Sequence, residues 1–530
     1  MKRRVAKSLL SLSLVTVLLV GCGGQSSGET TGNAKGGTID NNQIVTVAMG
    51  DQLLQDWDPA ITYGTDSRVF FNVYETLMRS TPEGDYENVL ATDYSKSDDG
   101  LVWEFKLREN VKFHDGTDFN AEAVKYSIDR TKGMQKGASY IWDPVKEINI
   151  IDDLTVQFVL NYAVDLRELV SCQFGAFIYA PSAGEDYDTS SAWFYEANMC
   201  GTGPYMLQDF AQDNHVVLTK FEDYWGGWDG NHLEKILFKS VQESTTRRQM
   251  VEGGEADIAY MLTGSDADAM SADTNLTIEA TVDNKNLQCF FNTLAGPLVD
   301  KRVRQALAYS YPYQDVIDYV AYGKYGNYPK DVVAPATLRG TTEAIPYEYN
   351  LDKARSLLEE AGCTKLELTA SYHNADEDTK KILELWKSEL AKLNVTLNIE
   401  ANSWEVVYNR AKSQNPEDRA DIFVAKTFAD TCTAYCMYST SAMTNAGWNF
   451  SGFGNEEIDQ AITAAYQEGA FDTEKSDEMM REVGAQLAEE CFMMNLMDMK
   501  NISAVNDSFH GFIMNPAYES TVFFYDCYKE

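Results

Sequence analysis

Helices and strands interleave along this 530-residue chain, and the class they predict is α/β or α+β, built as two or three lobes. Three observations carry that class. Period-two alternation marks strands, and apolar positions at i, i+3, i+4 and i+7 mark helices between them. About 490 residues follow a polar leader, enough for more than one hydrophobic core.

The elements can be taken in order. Leu101, Trp103, Phe105 and Leu107 alternate with Val102, Glu104, Lys106 and Arg108, which predicts a half-buried strand. Leu154, Val156, Phe158 and Leu160 repeat the pattern. Between them Asn120 is placed to cap a helix that carries Ala121, Val124 and Ile128 on one face. Asp115-Gly116 is turn chemistry, with Phe113 expected to pack under it. Gly201 and Gly203 suggest a close backbone approach, and Pro204 argues against a dinucleotide-binding loop. Arg302 and Arg304 follow Asp300 at a helix start and are expected in solvated or interlobe ion pairs. Ala354, Leu357, Leu358 and Ala361 predict a helix that Gly362 ends. Ile382, Trp386, Leu390 and Leu393 predict another, followed by the strand Val395, Leu397 and Ile399.

The first 22 residues speak about location. Lys2, Arg3, Arg4 and Lys7 precede an apolar stretch from Leu9 to Val20, the length of a signal-peptide core and too short to span a bilayer. Leu19-Val20-Gly21-Cys22 resembles a bacterial lipobox, which predicts removal of residues 1–21 and a lipid on Cys22. Residues 22–41 are then a flexible polar tether. Gly24-Gln25-Ser26-Ser27-Gly28 fits the hydrolase pattern G-x-S-x-G, but that pattern needs a strand before it and a helix after it. A polar leader predicts neither.

Charge narrows the partners. The chain carries a formal −37, and beyond Cys22 the balance is 40 basic against 81 acidic residues. Such a field repels nucleic acid and suits a cationic or zwitterionic ligand. Nine cysteines are scattered, and Cys432 and Cys436 do not make a CxxC pair. Five histidines stand apart from the cysteines, so neither a metal nor a cofactor is expected.

Several phrases together resemble one family. They are Tyr74-Glu75-Thr76-Leu77 with LVWEFKLRENVKFHDGTDFNAEAVKYSIDR (101–130), GTGPYML (201–207), FEDYWGGWDG (221–230), FFNTLAGPLVDKRVRQALAYS (290–310), YNLDKARSLLEEAG (349–362) and FGNEEIDQAI (453–462). In this order they resemble extracellular solute-binding family 5, the peptide and nickel class of ABC-importer receptors. The resemblance implies a periplasmic-binding-protein-like clamshell of two α/β lobes. Lobe I would comprise 42–77, 198–285 and 499–530, with a domain inserted at 78–197. Lobe II would comprise 286–498, with hinge crossings near 286–292 and 496–501.

The resemblance also implies the site. In peptide receptors of this class an extended ligand lies between the lobes as an added strand, and a carboxylate grips its ammonium. The matching stretch is Lys426-Thr427-Phe428-Ala429-Asp430-Thr431-Cys432-Thr433-Ala434, which makes Asp430 the expected anchor. Thr427, Thr431, Thr433 and Ala434 depart from the family's usual Trp, Tyr, Asp and Pro. The three threonines would instead offer hydroxyls to a polar ligand such as a sugar or amino-acid derivative. Tyr63, Gly64 and Thr65 match the segment that lines the opposite wall. Trp404 with Tyr408, or Trp448 with Asn445 and Asn449, are candidate stacking and amide contacts.

The function this implies is a lipoprotein receptor that captures peptides outside the cell and delivers them to ABC permease subunits, with ATPase subunits engaged indirectly. It would act as a monomer and touch the membrane only through its lipid. A receptor for oligosaccharide, nickel or haem-like solutes is the alternative on the same fold. An extracellular lipoprotein hydrolase is the alternative of another class, against which stands the lack of a structured nucleophile motif.

Overall fold

The computed structural model describes residues 43–50, 53–183, 191–519 and 521–530; the expectations for residues 1–21, for Cys22 and its tether and for the G-x-S-x-G stretch lie outside them. One mixed sheet organises the described chain. Its order is Val395–Asn402, Leu366–His373, Ile422–Phe428, Leu276–Phe291, Met493–Asn506, Ile258–Ala259, Ile44–Met49, Lys235–Ser240, His215–Lys220 and Tyr205–Ala211. A short strand, Gly326–Asn327, pairs beside Met493–Asn506.

The two long strands Leu276–Phe291 and Met493–Asn506 run through the middle of this order and pair antiparallel. Their register breaks between Val282 and Asn286, opposite Asp498 to Lys500. That break lies ahead of the 286–292 stretch read as a crossing from sequence, of which Asn286 to Phe290 pair with Asp498 to Met493 across a second register shift between Leu287 and Gln288. On one side of it Val45, Val47, Phe70, Ile236 and Phe238 build a core. On the other, Leu287, Phe290, Leu307, Trp386 and Ile422 build a second.

A separate four-stranded antiparallel sheet orders Ala91–Lys96, Val102–Leu107, Thr155–Leu160 and Val145–Asp152. Trp103, Phe105 and Leu107 point inward from one strand and Val156, Phe158 and Leu160 from the other, as the alternation predicts. The helix Ala121–Met134 covers this sheet, capped by Asn120, whose Oδ1 accepts from the Ala123 N–H at 3.1 Å. Phe113 is fully buried beneath a turn in which Gly116 adopts φ +83°. A Cβ on Gly201 would sit 2.0 Å from the Val73 carbonyl oxygen, so the close approach requires glycine there.

The helices Leu351–Glu360 and Glu377–Ala391 bury the predicted faces, except that Ala361 caps the first from outside and is only half-buried, and the second is followed by Val395–Asn402. Leu393 is buried but lies past the end of its helix, in the turn to the strand. Arg302 pairs with Asp300 at 2.6 Å, as expected. Arg304 differs: it is buried and donates to the carbonyls of Cys491, Leu298, Val299 and Glu490 at 2.7–3.0 Å. Five N–H donors in a planar fork can close out carbonyls that no helix or strand satisfies, which an ion pair would not do.

Asn455 caps Glu456–Glu468 by accepting from the Glu457 and Ile458 N–H groups at 3.0 and 3.3 Å. Asn455→Ala leaves those donors without the side-chain oxygen. We expect a loss of about 1 kcal/mol, read as a lower denaturant midpoint at constant slope.

A buried ion pair fixes the loop that reaches the site. Arg130 donates to both carboxylate oxygens of Asp58, at 2.8 and 2.6 Å, and both side chains are shielded from solvent. Asp66 accepts from the Gln55 and Asp56 N–H groups at 3.1 Å each. Between these two carboxylates the chain presents Tyr63.

Candidate functional site: a buried carboxylate at a cleft

Asp430 follows the end of Ile422–Phe428 and precedes the helix Ala434–Ser441. The strand stops because Ala429 turns inward: its N–H donates to the Asn284 carbonyl at 3.1 Å. Its carbonyl accepts from Asn284 Nδ2 at 2.8 Å and from Gln173 Nε2 at 2.7 Å. Cys172 donates to the Asp430 carbonyl, and the Asp430 N–H donates to Cys436 Sγ at 3.1 Å. The backbone of Asp430 is thus held from both sides.

Its side chain is 2% exposed. Oδ2 accepts from the Tyr63 hydroxyl at 2.7 Å and from the Tyr140 hydroxyl. Oδ1 has no hydrogen-bond partner among the described residues, and no lysine or arginine pairs with this carboxylate. Burial pushes its pKa up to about 6, against the two tyrosine bonds that pull it down. Burial of their hydroxyls, and then the Asp430 charge, raise both phenols well above their ordinary value, so they remain donors. A buried carboxylate with one bare oxygen is costly until a cation or donor reaches it.

Two spaces share Tyr63, Cys436, Thr440 and Trp448 in their walls. The larger, about 500 Å³, is walled by Tyr140, Tyr162, Tyr435, Tyr466 and Glu168. The smaller, about 30 Å³, lies against Thr427, Phe428 and Asp430. The adjoining strand edge is open. Ile422–Phe428 pairs with Leu276–Phe291 along its whole length on one side. On the other it meets Leu366–His373 only from Ile422 to Val424. Residues 425–428 therefore have no strand neighbour there among the described residues, and this edge runs up to Asp430.

The sequence-derived candidates separate in this geometry. Tyr63, Phe428, Asp430 and Trp448 come together; the Tyr63 and Phe428 rings lie 5.9 Å apart, both beside Phe174. Thr427 lines the smaller space, but its hydroxyl donates to Asn286 Oδ1 at 2.8 Å. The Thr431 and Thr433 hydroxyls both donate to Glu168 Oε1. The three hydroxyls read as ligand contacts thus donate within the protein, which leaves them only acceptor lone pairs to offer a ligand.

Trp404 lies over Trp448 at 6.3 Å, and Tyr408 packs edge-on against Phe450; neither lines these two spaces. Asn445 is exposed at φ +61° and lines neither, and buried Asn449 donates to the carbonyls of Met443 and Phe453. Gly64 and Thr65 open the turn into Ser67–Phe70 through their carbonyls and also stand off both spaces.

Sequence reasoning missed Tyr140, Glu168 and Gln173. Each lies in a stretch with no motif of its own, and each reaches the site only because the four-stranded sheet brings residues 139–173 against Asp430. Gln173 spans the gap, accepting from the Glu519 N–H at 2.7 Å while donating to Ala429.

Known proteins resemble this chain in sequence and in fold. The chain is 26% identical over 482 residues to the glutathione-binding protein GsiB of Salmonella typhimurium, covering 89% of this chain and 92% of that one. It is 28% identical over 405 residues to GsiB of Escherichia coli, covering 76% and 75%. Among solved structures, the ABC transporter substrate-binding protein CtaP from Listeria monocytogenes aligns with a TM-score of 0.80 at 20% identity, over 92% of this chain and 99% of that one. The dipeptide-binding protein of a Pseudoalteromonas species in complex with Met-Leu aligns at 0.76 and 20% identity, over 92% and 100%. These likenesses show the two-lobed α/β clamshell. The model for bacterial extracellular solute-binding proteins, family 5 Middle, matches residues 85–448. The chain belongs to that family of bacterial extracellular solute-binding proteins.

Proposed function

We propose that this receptor captures short peptides by their free amino terminus and delivers them to an ABC permease. One observation carries the reading: the bare Oδ1 of buried Asp430 at the end of an open strand edge. A peptide extending that edge would satisfy backbone groups at residues 425–428 without regard to its side chains. Its ammonium would then meet the one oxygen that lacks a donor. A neutral oligosaccharide would satisfy neither the charge nor the strand edge. The names of similar proteins, glutathione-binding and dipeptide-binding, point the same way.

The lobe division read from the sequence belongs to this proposal, with the inserted domain at 78–197 contributing Tyr140 and Gln173 to the site. So does anchoring: Cys22 carries lipid, and the monomeric body stands off the membrane on residues 22–41. In cells, Cys22→Ala should move the protein from the detergent phase to the aqueous phase; unchanged partitioning would remove the anchor from the model.

The experiment for the site is calorimetric titration with a tripeptide and its N-acetylated form. The free peptide should bind at least 30-fold more tightly. Equal affinity would show that no ammonium is recognised.

A further inference from the structure

The larger space asks for a ligand of a particular charge. Six aromatic residues line it, Tyr63, Tyr140, Tyr162, Tyr435, Tyr466 and Trp448, of which Tyr435 and Tyr466 stack on each other, and no lysine or arginine lines it among the described residues. Its acids are Glu168, which is 4% exposed, and Asp143 at the surface. Both threonine bonds to Glu168 fall on Oε1, so Oε2 keeps its acceptor capacity. Burial raises the Glu168 pKa, the two threonine bonds oppose this, and Arg339 acts on it from outside the lining while pairing with Asp477 at 3.5 Å. Lys426 borders only the smaller space and pairs with Asp376 at 3.1 Å.

Aromatic faces attract cations through the ring quadrupole, most strongly where water is excluded. A neutral apolar side chain would fill the same volume and offer Glu168 Oε2 no donor. At about 500 Å³ the space holds a long side chain with room to spare. We infer that this tyrosine-walled pocket is a subsite for a cationic side chain, of the guanidinium or ammonium class, on one of the first two residues of the bound peptide. The placement follows from Tyr63 and Tyr140, which border the pocket and hold Asp430.

This inference rests on the peptide reading, and its test separates the two. Titrate the full mature chain with Arg-Ala-Ala and Ala-Arg-Ala, and with the same peptides carrying citrulline, the neutral isostere of arginine. At one of the two positions arginine should bind at least tenfold more tightly than citrulline. Tyr435→Leu and Glu168→Gln should each pull that ratio toward one, while dependence on a free amino terminus persists in both. Equal binding of arginine and citrulline at both positions, with that dependence intact, overturns the subsite and leaves the peptide reading standing. If no peptide binds, the peptide reading falls. The subsite is then decided by saturation-transfer NMR with N-acetylarginine amide against N-acetylcitrulline amide, where equal signals overturn it.

Discussion

Asp430→Asn weakens binding of a free-amino tripeptide by about 30-fold to several-thousand-fold, or roughly 2–5 kcal/mol, the scale for removing one member of a desolvated ion pair. The substitution keeps shape and lets the Tyr63 and Tyr140 hydroxyls keep an acceptor, so what is lost is charge. N-acetylation should cost the wild type a similar factor and the variant far less, because both changes delete the same contact. The ligand-free variant should also be more stable, by about 1–3 kcal/mol at neutral pH, since a buried carboxylate with a bare oxygen is replaced by a neutral amide. Opposite signs on binding and stability are the signature of a group held for its ligand. Thermal unfolding and calorimetry of the two proteins check both, and an Asn variant that binds free-amino peptides as well as wild type refutes the anchor.

How far the sequence reaches differs between scaffold and site. Trp103, Phe105, Val156 and Phe158 announce their strands because alternation is local, and Asn120 announces its helix because capping needs only three or four residues. Asp430 was legible through the family phrase, not through its neighbours, since Ala429-Asp430 in isolation reads as any loop. Tyr140, Glu168 and Gln173 were not legible at all. Their roles depend on a four-stranded sheet docking against a strand end some 260–290 residues away, and nothing in a ten-residue window encodes that contact. Where the threonine hydroxyls donate was not legible for the related reason that a hydroxyl's direction is set by what packs on it. Thr431 and Thr433 are claimed by Glu168, and Thr427 by Asn286.

Affinity for such a peptide should fall as pH drops through about 6. The cause is the ligand-free Asp430 carboxyl, raised to about 6 by burial, which must ionise before it can pair with an ammonium. With that value, the observed association constant should fall about tenfold from pH 7 to 5 and about 100-fold from pH 7 to 4. It should stay level above pH 7 until the peptide amine loses its proton near pH 8. The groups facing Asp430 sharpen the assignment. Tyr63, Tyr140, Cys172 and Cys436 are all raised and stay neutral across this range, while Glu519 adds negative charge that raises Asp430 further. For folding the sign is reversed. Between the unfolded value near 3.8 and the folded value near 6 the native state holds the extra proton, so stability declines as pH rises through that window. Ligand binding near pH 5 should therefore release close to one proton, and near pH 7.5 almost none. Titrations in two buffers of different ionisation enthalpy read that number directly. A pH-independent affinity from 4 to 7 with no proton release would mean that Asp430 does not meet the ligand as a carboxylate.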